Sequence, residues 1–187
     1  MTGAGRRADG ASNADLAGLI RTIPDFPKPG IQFRDITTLL LDRRGLAATI
    51  ARLAALHPGP VDVVAAIEAR GFIFGAALAR ELGTGLVLIR KDGKLPGATV
   101  AVDYALEYGE DRIELHEDAL LPGARVLLVD DLVATGGTAL AAVRLIRRAG
   151  AEVIGASFVI DLPDLGGADR IEADGVPVGT LVAFSGH

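Results

Sequence analysis

Apolar residues in this chain repeat first at helical spacing and then in short unbroken runs. Leu16, Leu19, Ile20 and Ile23 share one helical face, and Pro24 ends the pattern, so a short N-terminal helix is expected, followed by a loop through Gly30. Leu46, Ile50 and Leu53 predict a second helix, Arg43 to Leu56, stopping near Pro58. Then strands and helices alternate: strand Val61 to Ile67, helix Phe72 to Leu82 closed by Gly83, strand Leu86 to Ile89, strand Val126 to Val129, helix Ala139 to Ala149 closed by Gly150, and strand Val153 to Ile160. Runs that are apolar at every position belong to strands covered on both faces. The alternation therefore predicts an α/β fold, a doubly wound, mainly parallel sheet with flanking helices. Between Thr99 and Glu117 the pattern alternates like two strands with Gly109 near the turn, which reads as a β-hairpin outside the main sheet, a mobile hood of the kind that closes over a site. No repeat and no long linker divides the chain. Residues 15 to 187 read as one domain and residues 1 to 14 as a disordered tail.

The strand Val126 to Val129 runs into Asp130 and Asp131, then Leu132, Val133, Ala134, and the small-residue turn Thr135, Gly136, Gly137, Thr138. A helix that starts behind such a turn aims unpaired N–H groups and a dipole end worth roughly half an elementary charge at whatever sits there. That is a seat for phosphate. Two bare carboxylates beside it would repel phosphate unless they held hydroxyls or a metal, and a phosphorylated sugar meets both demands. An acid pair at a strand end can also simply cap a turn, and paired glycines mark many turns. The positive groups also stand at strand ends: Arg70 after Val61 to Ile67, and Arg90, Lys91 and Lys94 after Leu86 to Ile89. Right-handed crossovers put these loops on the same carboxyl edge of the sheet as the acids, the edge where open α/β sheets bind ligands.

Composition narrows the class. Half of the 187 residues are hydrophobic, yet the longest apolar runs fall far short of the ~20 residues a membrane helix needs. No membrane role is expected. The net charge of −5 argues against general nucleic-acid binding, so any polyanion must be held by a local cluster. There is no cysteine, which fits a reducing, cytoplasmic compartment. His57, His116 and His187 show no metal-ligand spacing, and Tyr104 and Tyr108 read as packing within the hairpin.

The stretch from Val129 to Thr138 resembles the phosphoribosyl-pyrophosphate loop of the type I phosphoribosyltransferases, in wording the branch that uses adenine. The stretches Pro24 to Ile36, Glu68 to Phe72, Ile89 to Gly97 and Tyr104 to Gly109 are similar to that family in the same order and spacing, so the likeness covers roughly residues 15 to 187. It implies transfer of the 5-phosphoribosyl group from phosphoribosyl pyrophosphate to N9 of adenine, giving AMP and pyrophosphate. By the same likeness Arg70, Arg90, Lys91, Lys94, Asp130, Asp131, Ala134, Thr135, Gly136, Gly137 and Thr138 would bind phosphoribosyl pyrophosphate. Gln32, Phe33, Arg34 and Leu162 would bind adenine, Phe33 by stacking and the backbone of Gln32 and Arg34 by reading the purine edge. Glu107 would handle the proton at N7, and the Glu68–Ala69 peptide would be cis. Mg²⁺ would act mainly through pyrophosphate and ribose oxygens, with Asp130 and Asp131 as its protein contacts, and the enzyme would be a homodimer.

Two rivals can be weighed. A P-loop hydrolase needs Gly-x-x-x-x-Gly-Lys-[Ser/Thr], and no lysine lies between Asp130 and Thr138. A regulator that kept the fold and lost catalysis usually adds a winged helix or a basic face, and neither is present. Transferases for 6-oxopurines commonly have an aspartate where this chain has Ala134, so the loop lacks its own proton-handling group and Glu107 becomes necessary.

Overall fold

The structure is a computed structural model that describes residue 7, residues 13–105 and residues 110–186, with side chains 105 and 110 excepted. Helix α1, Ala14–Ala17, is a single turn, so the N-terminal helix expected through Ile23 is cut short. Its second half is instead strand β1, Arg21–Pro24, paired antiparallel with β2, Gln32–Asp35. Thr22 and Ile23 are β-branched and Pro24 bars helix, while Leu16 and Ile20 still reach the core and Leu19 and Ile23 stay half-buried. The link between these strands contains a cis Phe26–Pro27 bond and Gly30 at φ 91. Helix α2, Thr37–Leu41, is too short to leave a 3.6-residue pattern. Helix α3, Arg43–Ala55, matches its expected span, and Asp42 caps it by accepting from the N–H groups of Arg44 and Gly45 at 2.9 and 2.7 Å.

The remaining elements are β3 (Val63–Ile67), α4 (Gly71–Leu82), β4 (Gly85–Lys91), β5 (Thr99–Ala105), β6 (Glu110–His116), β7 (Arg125–Val133), α5 (Gly137–Arg148), β8 (Glu152–Asp161), a 3-10 turn at Pro163–Leu165, α6 (Gly167–Ala173) and β9 (Val178–Ala183). One seven-stranded sheet takes the order β5-β6-β4-β3-β7-β8-β9, parallel from β4 to β9. The hairpin β5–β6 does not stand outside this sheet. β4 runs two residues past Ile89, and those two residues pair with β6 as Arg90↔Glu114 and Lys91↔Ile113. Tyr104, Ile113 and Leu115 are buried in the same cluster as α5, so the base of the hairpin is core. α6 and β9 were not anticipated: α6 has seven residues, and Gly179 and Thr180 interrupt the apolar run of β9.

Apolar residues fill both faces of the sheet, as a doubly wound fold requires. Val126 and Leu128 of β7 point into the cluster shared with α5 and α6, and Leu127 and Val129 into the one shared with α1, α3 and α4. All four are fully buried, and each such side chain contributes about 1.5–3 kcal/mol. At the far edge Phe184 N–H donates to Asp161 O of β8, which turns Leu181 O outward, where Asn13 Nδ2 donates to it at 2.7 Å. Arg52 on α3 donates to Asn13 Oδ1 at 2.8 Å and holds that amide in place. Among the described residues no helix is long and apolar enough to cross a membrane.

Candidate functional site

β7 extends four residues past the expected end at Val129, because Leu132 and Val133 keep pairing with Ile160 and Asp161. Asp130 and Asp131 therefore sit inside a paired strand end. Asp131 is 4% exposed, Asp130 is half-buried, and the Asp131 N–H donates to Asp130 Oδ1 at 2.8 Å. Arg70 Nε lies 2.8 Å from Asp131 Oδ2 as an ion pair outside hydrogen-bond geometry, so this buried oxygen has no hydrogen-bond partner among the described residues. Burial raises the pKa of both acids; the charge of Asp131 raises that of Asp130 further, and Arg70 opposes the rise at Asp131. The first residue of α4 closes on this pair: a Cβ at Gly71 would lie 2.8 Å from Asp130 Oδ1 and 3.0 Å from Val129 O.

Beyond the acids the chain turns through Ala134, Thr135 and Gly136, the last at φ 79, and α5 begins at Gly137. Asp130 and residues 132–139 line one cleft at the N-terminus of this twelve-residue helix. Thr138 Oγ1 donates to Tyr104 OH at 3.4 Å, Tyr104 OH donates to Asp111 Oδ2 at 3.1 Å, and Lys91 Nζ is 3.3 Å from the same oxygen. Tyr104 thus does more than pack: it joins the turn, the hairpin and a cation. Burial raises its pKa.

Glu68 organises the other cations. Its carboxylate accepts from Arg90 Nε at 3.1 Å and from the Lys91 N–H at 2.9 Å, and the Arg90 guanidinium holds its pKa below the ordinary value. The peptide after it, Glu68–Ala69, is cis. Arg90 also donates to Lys94 O at 3.3 Å, and the exposed Lys94 donates its N–H to buried Glu114 at 3.1 Å. Strand-end position located these cations; Glu68 and Asp111, which hold them, were missed because their partners come through register and not through spacing.

The residues expected to bind the base fall in two groups. Phe33 on β2 lies 5.4 Å from the Arg70 guanidinium, with Phe26 edge-on at 5.1 Å and 78°. Arg70 so bridges Phe33 to Asp131. Gln32 and Arg34 flank Phe33 on the same strand, opposite Pro24 and Thr22. The Arg34 side chain is a tie across the fold: it donates to Thr22 Oγ1 at 2.6 Å and Ser185 O at 2.9 Å, and stacks on Phe184 at 4.6 Å. Leu162, 7% exposed, packs in the apolar cluster that Leu132 and Ala134 border, and its N–H donates to Val133 O at 3.1 Å. Glu107, expected to handle the proton, Tyr108 and His187 lie outside the described residues, as does most of the tail 1 to 14.

The donor set can be tested against a magnesium ion. No group of three or more His, Cys, Asp or Glu that could cage a metal exists among the described residues. Asp130 and Asp131 offer hard carboxylate oxygens, one of them buried without a hydrogen-bond partner. Two such oxygens fit an ion that keeps waters and takes its other ligands from a substrate.

Residues 32–180 match the phosphoribosyl transferase domain family. Among curated relatives, an adenine phosphoribosyltransferase of Sphingopyxis alaskensis is 62% identical over 92% of this chain and 94% of its own. Among solved structures, the adenine phosphoribosyltransferase of Thermoanaerobacter pseudethanolicus superposes with a TM-score of 0.87 at 47% identity, covering 91% of this chain and 99% of that one. That of Saccharomyces cerevisiae, complexed with D-2,5-dideoxy-2,5-imino-altritol 1,6-bisphosphate and adenine, gives a TM-score of 0.84 at 35% identity over 90% and 97%.

Proposed function

The chain belongs to the phosphoribosyl transferase family, and from that membership we infer that it moves the 5-phosphoribosyl group of phosphoribosyl pyrophosphate to N9 of adenine, releasing AMP and pyrophosphate, a purine-salvage reaction. The observation that carries the reading is an unbroken chain of contacts: the glycine turn before α5 lines a cleft with Asp130, Asp130 accepts from the Asp131 N–H, Arg70 pairs with Asp131, and Phe33 lies against Arg70. A phosphate end, a hydroxyl-binding middle and an aromatic end follow each other as they do in a nucleotide.

In the transfer, the C1–N9 bond forms as the bond from C1 to pyrophosphate breaks, leaving positive charge on the sugar and negative charge on the leaving group. Catalysis is then mainly positioning and electrostatics. Residues 134–138 seat the 5′-phosphate, Asp130 and Asp131 hold ribose hydroxyls, and Arg70, Arg90, Lys91 and Lys94 take the pyrophosphate. Asp130 and Asp131 would hold a Mg²⁺ ion, which when bound would supply neutralisation of the leaving group's charge. Phe33 stacks on the purine, the backbone of Gln32 and Arg34 reads its edge, Leu162 adds an apolar contact, and Glu107 handles the proton at N7. The enzyme works as a cytoplasmic homodimer.

The test is competition between purine bases with phosphoribosyl pyrophosphate and magnesium. Adenine's 6-amino group donates where the oxo group of hypoxanthine or guanine accepts, and an unpaired buried polar group costs about 1–3 kcal/mol, more in an enclosed site. Adenine should be preferred at least ~100-fold in kcat/KM. Comparable turnover of hypoxanthine would overturn the base assignment, and no AMP at all would overturn the transferase reading.

A further inference from the structure

We propose that Gly167, the first residue of α6, is a positioning residue that sets where the phosphate-binding turn sits. The inference rests on the reading of that turn as the seat of the 5′-phosphate. A Cβ added at Gly167 would lie 2.2 Å from Ala134 O, 2.6 Å from Gly136 N and 2.9 Å from Ala134 C. The contact is reciprocal: a Cβ at Gly136 would lie 2.8 Å from Gly167 O and 3.0 Å from Gly167 Cα. Every atom met is backbone, so no rotamer change relieves the collision. Two chain segments more than thirty residues apart thus touch main chain to main chain directly behind the turn.

One side must move when that space is filled, and α6 is the more firmly held. Ala168 and Ile171 are 2% and 0% exposed in the cluster that contains α5. The turn from Ala134 to Gly136 instead borders an open cleft. A side chain at Gly167 therefore pushes the turn toward the ligand, and misplacement by about 1 Å can cost on the order of a hundredfold where positioning carries the chemistry. The adjacent Gly166 is a built-in control: it sits at φ +67 with nothing within 4 Å of an added Cβ, a conformation asparagine tolerates.

Gly167→Ala should raise KM for phosphoribosyl pyrophosphate at least ~10-fold while leaving KM for adenine within about twofold, because only the phosphate seat moves. Gly166→Asn should leave both constants within about twofold. Equal effects of the two variants on both substrates, or an unchanged KM for phosphoribosyl pyrophosphate in Gly167→Ala, would overturn the proposal. Should Gly167→Ala fail to fold, hydrogen exchange on the wild-type protein decides: AMP should slow exchange in residues 134–138 and in residues 165–169 together. Protection confined to 134–138 would mean that α6 does not sense the turn. An active wild-type enzyme with either negative result sinks this inference alone, whereas an inactive wild type sinks the transferase reading beneath it.

Discussion

Asp130 carries an internal conflict, since the charge it would use to hold a sugar is opposed by its own burial and by Asp131 beside it. Asn at this position keeps the shape and an acceptor for the Asp131 N–H while removing the repulsion. Asp130→Asn should therefore melt higher than wild type, by about 2–4 °C if relief is on the order of 1 kcal/mol, and lose at least tenfold in kcat/KM. Calorimetry and the forward assay check this together; a lower Tm with intact turnover would remove Asp130 from the site. Arg70 and Lys91 show a related tension, each paired with a carboxylate, Asp131 and Asp111, that an incoming anion must displace. The acids and cations were legible in the sequence because strand ends on one sheet edge converge whatever the details. Their partners were not: Asp111 reaches Lys91 only through the pairing of β4 with β6.

Elements with long, regular patterns were read correctly, and those decided by tertiary context were not. α3, α4, α5 and the strands β3 and β8 lie where their apolar periodicity put them, and β4 and β7 do so too but run two and four residues further. The stretch around Ile23 had helical spacing yet became β1, because β-branched residues facing β2 gain more from pairing than a proline-terminated helix could supply. That two-stranded ribbon is locked by Asp35, which accepts from Arg21, from the Thr37 N–H at 2.9 Å and from Thr37 Oγ1 at 2.8 Å. These bonds, Arg21 foremost, lower the Asp35 pKa from 3.8 to about 2. A depressed carboxylate contributes stability that is fully present above its unfolded pKa and is lost as pH falls through the folded one. Denaturant titrations should show stability falling between pH about 4 and about 2, with a shallower fall in Asp35→Asn. Identical pH slopes in the two proteins would show that the ribbon is held by other contacts.

On the scale of the whole molecule the fold class and the ligand-binding edge were evident from alternation alone, while β9 was not, since Gly179 and Thr180 break its apolar run. That hidden strand ends the sheet. An outermost strand exposes carbonyls that a foreign chain can pair with, and proteins that stay dispersed at high concentration blunt such templates. Here the Asn13 amide occupies Leu181 O, and Arg52 keeps the amide from swinging away. Asn13, the residue just before the first helix, thus insulates the last strand of the sheet and makes the two one defence against aggregation. Asn13→Ala should scatter more light on heating or concentration while its turnover stays within about twofold of wild type, because the partners of its side chain, Leu181 and Arg52, are not site residues. Unchanged scattering would mean that the edge is protected by other means.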